Sequence, residues 1–222
     1  MSQHEPAEVT CPACGVVSTI TRWHSVNTAI DPTAARALLD GSLQQLRCSC
    51  GAESQMAYDV LYHDAERHVM IQVATGDVDA TRKALLQAFA HVGDTLRAVG
   101  SHFVTRIVTD HDHLVEKVRL LDAGLDDRVW ELTKRELALQ CPEIDGRPLL
   151  FGGEEHDGFV AVGFDKEGPA GTVTAPRSMY AALEAMFREA GLLEEPKPWS
   201  AVDAGYAQRL YTKLERRRRR SR

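Results

Sequence analysis

Four of the five cysteines fall in two short clusters, Cys11-Pro12-Ala13-Cys14-Gly15 and Cys48-Ser49-Cys50-Gly51. Each cluster ends in glycine, which accepts a left-handed backbone without steric cost, so each predicts a tight turn that aims two thiols the same way. Four thiolates drawn from two such turns are the donor set of a structural zinc site, with Cys11, Cys14, Cys48 and Cys50 as the candidate metal ligands. The second pair has one spacer residue instead of two. In an extended segment residues i and i+2 share a face, so the shorter pair can still chelate; His24 and His63 are the nearest substitutes in sequence if Cys48 or Cys50 falls short. A site closed by four thiolates leaves no position for water or substrate and disfavours metal catalysis. Its zinc would instead supply folding free energy to a unit of roughly 65 residues, whose own core is marginal. Two enzymatic alternatives use the same residues: thiol–disulfide exchange through Cys11 and Cys14, or hydrolysis at a zinc with an open fourth position.

Other groups able to do chemistry are less convergent. Asp110-His111-Asp112-His113 contains metal-binding residue types, but successive side chains at a helix start point about 100° apart, which favours a capped, solvated first turn. Glu154-Glu155-His156-Asp157 lies between two expected strands and reads as a polar hairpin loop. His63-Asp64 has the composition of an oriented acid–base pair, although a histidine at a strand end more often has a structural role. Trp23 is expected in the core rather than as a ligand platform, and Cys141, just past a helix, as a buried or half-buried thiol. No catalytic set is recognisable from these residues.

The elements that must hold these groups follow from local pattern. Residues 1–10 are expected to be a flexible lead-in. Val16 to Val26 supply the β-branched and aromatic residues of one or two strands. Asp31 as N-cap, Pro32 at the first helical position and Gly41 as the stop define a helix between the two cysteine pairs. Gln55–Val60 and Val69–Val73 read as strands joined through Leu61-Tyr62-His63-Asp64, closing a zinc-knuckle domain over 11–75. Leu85, Phe89, Val92 and Leu96 at helical spacing give a linking helix over 76–100, stopped at Gly100. An α+β domain is expected over 101–215. It comprises a strand at 103–108, a helix capped by Thr109 or Asp110, a second helix with Asp126 and Asp127 in its first turn, and a three-stranded meander built on 149–151, 159–164 and 172–174. Its last two helices follow Pro176 and a capping box of Ser200 with Asp203. The fold class is therefore α+β, with a zinc-ribbon-like N-terminal β domain carrying an inserted helix and a C-terminal α+β domain with a small antiparallel sheet.

Composition bounds the function. With 222 residues, 44% hydrophobic and 26% charged, the chain can bury at least one full core. A polar N-terminus and the lack of any apolar run near 18 residues point away from secretion and membrane insertion and towards the cytosol, where thiols stay reduced and metal thiolates outlast disulfides. The net charge of −6 includes six arginines between 216 and 222, so residues 1–215 carry −12. So acidic a body argues against a nucleic-acid groove and leaves only the basic tail 216–222 as a polyanion binder. The tail is also the composition of a solvated helix end.

Taken in order, Cys11-Pro12-Ala13-Cys14-Gly15, Trp23-His24-Ser25-Val26-Asn27, Asp31-Pro32, Leu38-Leu39-Asp40-Gly41 and Leu61-Tyr62-His63-Asp64 resemble the bacterial CpXC family, named for its Cys-Pro-x-Cys motif. Arg106-Ile107-Val108, Leu114-Val115-Glu116-Lys117 and Gly124-Leu125-Asp126-Asp127-Arg128 are similar to the stretch that follows in longer members, so the resemblance spans most of 10–135. It implies a metal-knuckle domain and no established activity. One departure is the family's second Cys-Pro-x-Cys pair, here shortened to Cys48-Ser49-Cys50. The expectation that follows is a cytoplasmic, zinc-stabilised interaction or adaptor protein with a protein partner, thiol or zinc enzymology and polyanion binding through the arginines being the alternatives.

Overall fold

In the computed structural model, which describes residues 2–90, 103–141, 144 and 146–220, the first strand is one that its sequence conceals. Strand β1 (Gln3–Thr10) pairs antiparallel along its whole length with β2 (Val17–Asn27). The predicted lead-in is thus an edge strand. Its polar residues and Pro6 carry no strand signal, and proline is tolerated there because an edge strand need not donate every amide. Most of the β1–β2 ribbon is exposed or half-buried; only the far end of β2, Val26 and Asn27, is buried, where it runs parallel to β5 (Val60–Asp64).

Two compact units are present: the described residues up to Leu114 with Pro198–Ser200, and those from Val115 to Lys197 with Ala201 onward. The first holds a five-stranded mixed sheet of order β1-β2-β5-β6-β7, with β6 at Val69–Val73 and β7 at Val104–Val108. A second, two-stranded sheet pairs β3 (Gln45–Arg47) with β4 (Glu53–Gln55). All five residues of β6 are buried, as expected of a strand covered on both faces, and its one polar side chain, Gln72, donates to the Val73 carbonyl at 2.7 Å. Leu61–Asp64, predicted as a joint, is itself strand; the reversal comes at the following residues, with His68 at φ +54°.

Helix α1 (Pro32–Leu39) begins and stops where the sequence places it, with Pro32 in its first turn and Gly41 at φ +83°. The Asp31 side chain makes no capping bond, however, and only its carbonyl engages the helix, accepting from Ala35 at 2.9 Å. Helix α2 (Val78–Ala88) is capped by Asp77, which accepts from the Asp79 and Ala80 amides. Its Leu85, with Phe89 just beyond, packs on Met70, Ile107 and Trp199. It therefore covers the first sheet. Val92 and Leu96 lie outside the described residues.

Strand β7, expected in the second domain, belongs to this sheet, paired parallel with β6. Its other side is met by 198–200: Ser200 bridges Arg106 and accepts from the Ile107 amide at 3.3 Å. Trp199 sits at φ +58°, a conformation non-glycine residues seldom take; its amide donates to Thr105 Oγ1 at 2.8 Å and its carbonyl accepts from Arg82 at 2.9 Å.

The second unit is a meander, β8 (Leu149–Glu155), β9 (Gly158–Asp165) and β10 (Gly168–Pro176), in order β10-β9-β8. The strands extend further than the apolar runs that announced them. Gly158 on β9 has no room for a side chain against β10: an added Cβ would stand 2.2 Å from the Ala175 carbonyl oxygen. The unit's helical part is α3 (His111–Asp122, entering from Val115), α4 (Asp127–Gln140), α5 (Arg177–Glu189) and α6 (Ala204–Arg220). The α6 cap is Asp203, whose carboxylate accepts from the Tyr206 amide at 2.8 Å, whereas Ser200 is engaged by β7. Helical structure continues through the arginine run.

Helix α4 is buried nearly all round, with Val129, Trp130, Leu132 and Thr133 each at 0% exposure. A helix so enclosed must pair every charge it carries. Lys134 therefore bridges Glu131 at 2.8 Å and Glu116 at 3.2 Å, and Lys117 meets Glu131 and Asp127, each at 3.3 Å. Glu116 also accepts from Trp130 Nε1 at 2.9 Å and from the Phe151 amide at 2.8 Å. Burial disfavours its charge, but Lys134, Lys117 and the hydrogen bonds outweigh that and hold the carboxyl below the usual carboxylate range. Mixed α+β architecture is thus present, and among the described residues no helix is long and apolar enough to cross a membrane.

Candidate metal centre

The two cysteine clusters form the turns of two hairpins. In the first, between β1 and β2, the Cys11 amide donates to the Val16 carbonyl at 2.8 Å and the Gly15 amide to the Cys11 carbonyl at 2.9 Å. In the second, between β3 and β4, the Cys48 amide donates to the Ala52 carbonyl and the Gly51 amide to the Cys48 carbonyl, both at 2.9 Å. The loops close in the same way, and the residue missing from the second is taken from between its cysteines. Gly15 at φ +74° and Gly51 at φ +87° supply the left-handed step; an added Cβ would meet nothing at either, so backbone angle rather than space calls for glycine.

These turns face each other. Cys11 Sγ lies 3.9 Å from Cys50 Sγ, Cys14 Sγ 3.6 Å from Cys48 Sγ, and all four sulfurs lie within 4.8 Å of one another. A tetrahedron with metal–sulfur bonds of about 2.3 Å has edges of about 3.8 Å, so the four thiols fit a single ion. Each turn gives one buried sulfur residue, Cys11 or Cys48, and one exposed, Cys14 or Cys50. The Cys48 thiol is pushed down to about 6 by the Cys50 amide and thiol. The Val16 amide acts to lower Cys14 as well, but its contacts with the Cys50 and Cys48 thiols prevail and push it up to about 12. A cation among the sulfurs reverses that preference, since positive charge favours thiolate.

The other candidates are held elsewhere. His24 Nε2 pairs with Glu5 at 2.9 Å across the β1–β2 ribbon. Trp23, expected in the core, is half-buried on the same ribbon against His4, ring centres 4.6 Å apart. His63 Nδ1 meets Asn27 Nδ2 at 3.0 Å, while Asn27 Oδ1 accepts the Ala29 and Ile30 amides. That places the acceptor role on Nδ1 and the proton on Nε2, and burial lowers the ring's pKa. Asp64 turns away to Arg67, accepting from its amide at 3.0 Å and its Nε at 2.7 Å, so His63-Asp64 is no acid–base pair.

Asp110, not Thr109, caps α3, accepting from the His113 amide at 2.9 Å and ring at 2.7 Å. Burial disfavours its carboxylate, yet the His113 bonds prevail and hold it down at about 2. His111 Nε2 bonds the Leu38 carbonyl, so these residues do not converge on one point. Glu154 pairs with Arg177 at 2.6 Å and Glu155 with Thr174 at 3.4 Å beside the β8–β9 turn. Cys141 is half-buried at the end of α4. Among the described residues, the four cysteines are the one cluster of three or more ligand-type side chains that could hold a metal ion.

The family model described as CpXC protein matches residues 9–134, more than half of the chain. The chain belongs to the CpXC family. The match takes in the Cys-Pro-x-Cys turn with β2, the whole β3–β4 hairpin, the Asn27–His63 and Asp64–Arg67 contacts, and helix α3 with the first half of α4 and most of the buried charge network; it leaves out most of β1 and stops before the meander. The residues around Asn27 and His63 that carry the resemblance are engaged in packing and hydrogen bonding. No curated protein and no solved structure matches the chain.

The charge network went unseen in the sequence. Glu131 and Lys134 at i, i+3 look like a solvated pair, and Glu116-Lys117 like exposed helix positions. The available signal was their place among Leu114, Val118, Trp130 and Leu132, which leaves those helices little polar face.

Proposed function

We propose that Cys11, Cys14, Cys48 and Cys50 bind one Zn2+ as a closed structural site, stapling a zinc-ribbon-like N-terminal unit of a cytoplasmic interaction or adaptor protein. The observation that carries this reading is the convergence of four sulfurs from two similarly closed turns, all within 4.8 Å of one another and with two separations, 3.9 and 3.6 Å, close to the edge of a tetrahedral thiolate site. Four thiolates favour zinc over hard cations and saturate its coordination, which assigns the metal to folding. With His63 bound to Asn27 and Asp64 bound to Arg67, the nearest sequence candidates for a general base are already engaged. Function then rests with the surfaces that the fold displays.

Thiol titration of the native chain with and without a chelator tests the reading against thiol–disulfide exchange. A structural site keeps all four cluster thiols silent until the chelator is added, leaving Cys141 as the only titratable cysteine. A dithiol that reacts at once in the metal-replete chain contradicts it.

A further inference from the structure

We propose that the cleft between residues 191–197 and helix α6 is a docking site for an acidic segment of a partner protein. The cleft has a volume of about 610 Å³. Its floor includes Leu192, Tyr206 and Leu210, all buried, and the α6 wall presents Lys213, Arg216 and Arg217. Their i, i+3, i+4 spacing sets the three on one helix face. Lys197 lines the same cleft, as do Glu194 and Glu195, so four cations stand against two carboxylates. Glu195 already pairs with Arg128 at 3.3 Å. The lining is cationic and its base apolar.

A second observation concerns the helix itself. Five consecutive arginines, 216–220, continue α6. Like charges one turn apart repel, and the helix C-terminal dipole offsets only part of that. Arg217 donates to the Ala190 carbonyl at the end of α5 and Arg218 reaches Met186 Sδ at 3.2 Å, which fixes the arginine-bearing turns beside the cleft. An anionic occupant would relieve the remaining repulsion.

The cleft chemistry selects a protein segment over a nucleic acid. Guanidinium groups take carboxylates in bidentate fashion, and an apolar side chain flanked by Asp or Glu would meet both wall and floor. A single-stranded nucleic acid would need bases stacked on exposed rings, and Tyr206 is buried in the cleft floor rather than offered for stacking. The proposal rests on the interaction reading for the existence of a partner, and it is independent of the metal.

The test is fluorescence anisotropy of the full-length chain with a labelled peptide of alternating Glu and Leu, with RNA of equal charge and phosphatidylserine vesicles as parallel arms and zinc content measured on every sample. Saturable one-to-one binding of the peptide is expected, weakened at least tenfold by Arg216→Glu but little by Arg219→Glu, which changes the same charge on the same helix outside the cleft lining. Equal loss in the two variants, no peptide binding, or tighter binding of RNA or vesicles overturns the proposal. If zinc-replete chain ignores the peptide, the cleft alone fails; if zinc is absent, the metal reading fails on its own.

Discussion

Cys14 Sγ and Cys48 Sγ stand 3.6 Å apart although 34 positions separate them in sequence. Between them the chain runs through β2, α1 and β3, so any ion held by both turns ties the end of that excursion to its beginning. Replacing one ligand should therefore act on stability as well as on metal. For Cys48→Ser we expect zinc affinity to fall by at least tenfold, about 1.4 kcal/mol, with a matching loss of thermal stability that added zinc partly restores. Cys141→Ser should leave both unchanged. A competitive chelator titration and a melting curve for each variant check this.

The buried network of the second unit predicts an asymmetry. Lys134→Met removes the charge that faces both Glu116 and Glu131 in a dry site and should destabilise by about 3–5 kcal/mol, whereas Glu116→Gln, which leaves Lys134 its bridge to Glu131 and keeps an oxygen for Trp130 Nε1 and the Phe151 amide, should cost far less. Denaturant unfolding followed by tryptophan fluorescence reports it, since the Trp130 indole donates to Glu116.

At Gly158 the contact is steric. Gly158→Ala places a methyl against the Ala175 carbonyl oxygen, forces β9 and β10 apart, and should cost about 1–3 kcal/mol in the same assay. Gly15→Ala differs in kind: space is open and the penalty comes from φ +74°, on the order of 1 kcal/mol.

Acid should weaken the α3 cap in a defined window. Asp110 titrates at about 2 in the folded chain, below its unfolded value near 3.9, so its contribution is complete above the unfolded value and is lost as pH falls towards 2. Asp110→Asn should flatten that part of the stability profile, and Asp110→Ala should in addition cost about 1 kcal/mol at neutral pH through the lost cap. Denaturation midpoints between pH 2 and 5 for the three proteins decide it.

What could be read in the sequence was whatever local chemistry marks. Cysteine followed by glycine marked both turns, Asp31-Pro32 and Gly41 bounded α1, and glycine-punctuated apolar runs gave the meander. What escaped depends on distant partners. Strand β1 is stabilised by pairing with β2 and not by its own composition. The register of β7 on β6, and of Ser200 on β7, follows from a sheet assembled from remote segments. Glu116 looks solvated until α4 and the Phe151 amide close over it. The four candidate ligands were legible because four thiols in two glycine-followed clusters have few other uses; the geometry of the shortened Cys48-Ser49-Cys50 pair was not, since an extended segment was expected and the pair sits in a closed turn.

The measurement that bears most directly on the metal assignment is zinc K-edge X-ray absorption of the chain as purified. Four sulfur neighbours at about 2.3 Å and no light-atom shell are the predicted result. A shell with fewer sulfurs and an oxygen or nitrogen, or a chain that carries no zinc, would contradict a closed four-thiolate site and return the open-site chemistry to contention.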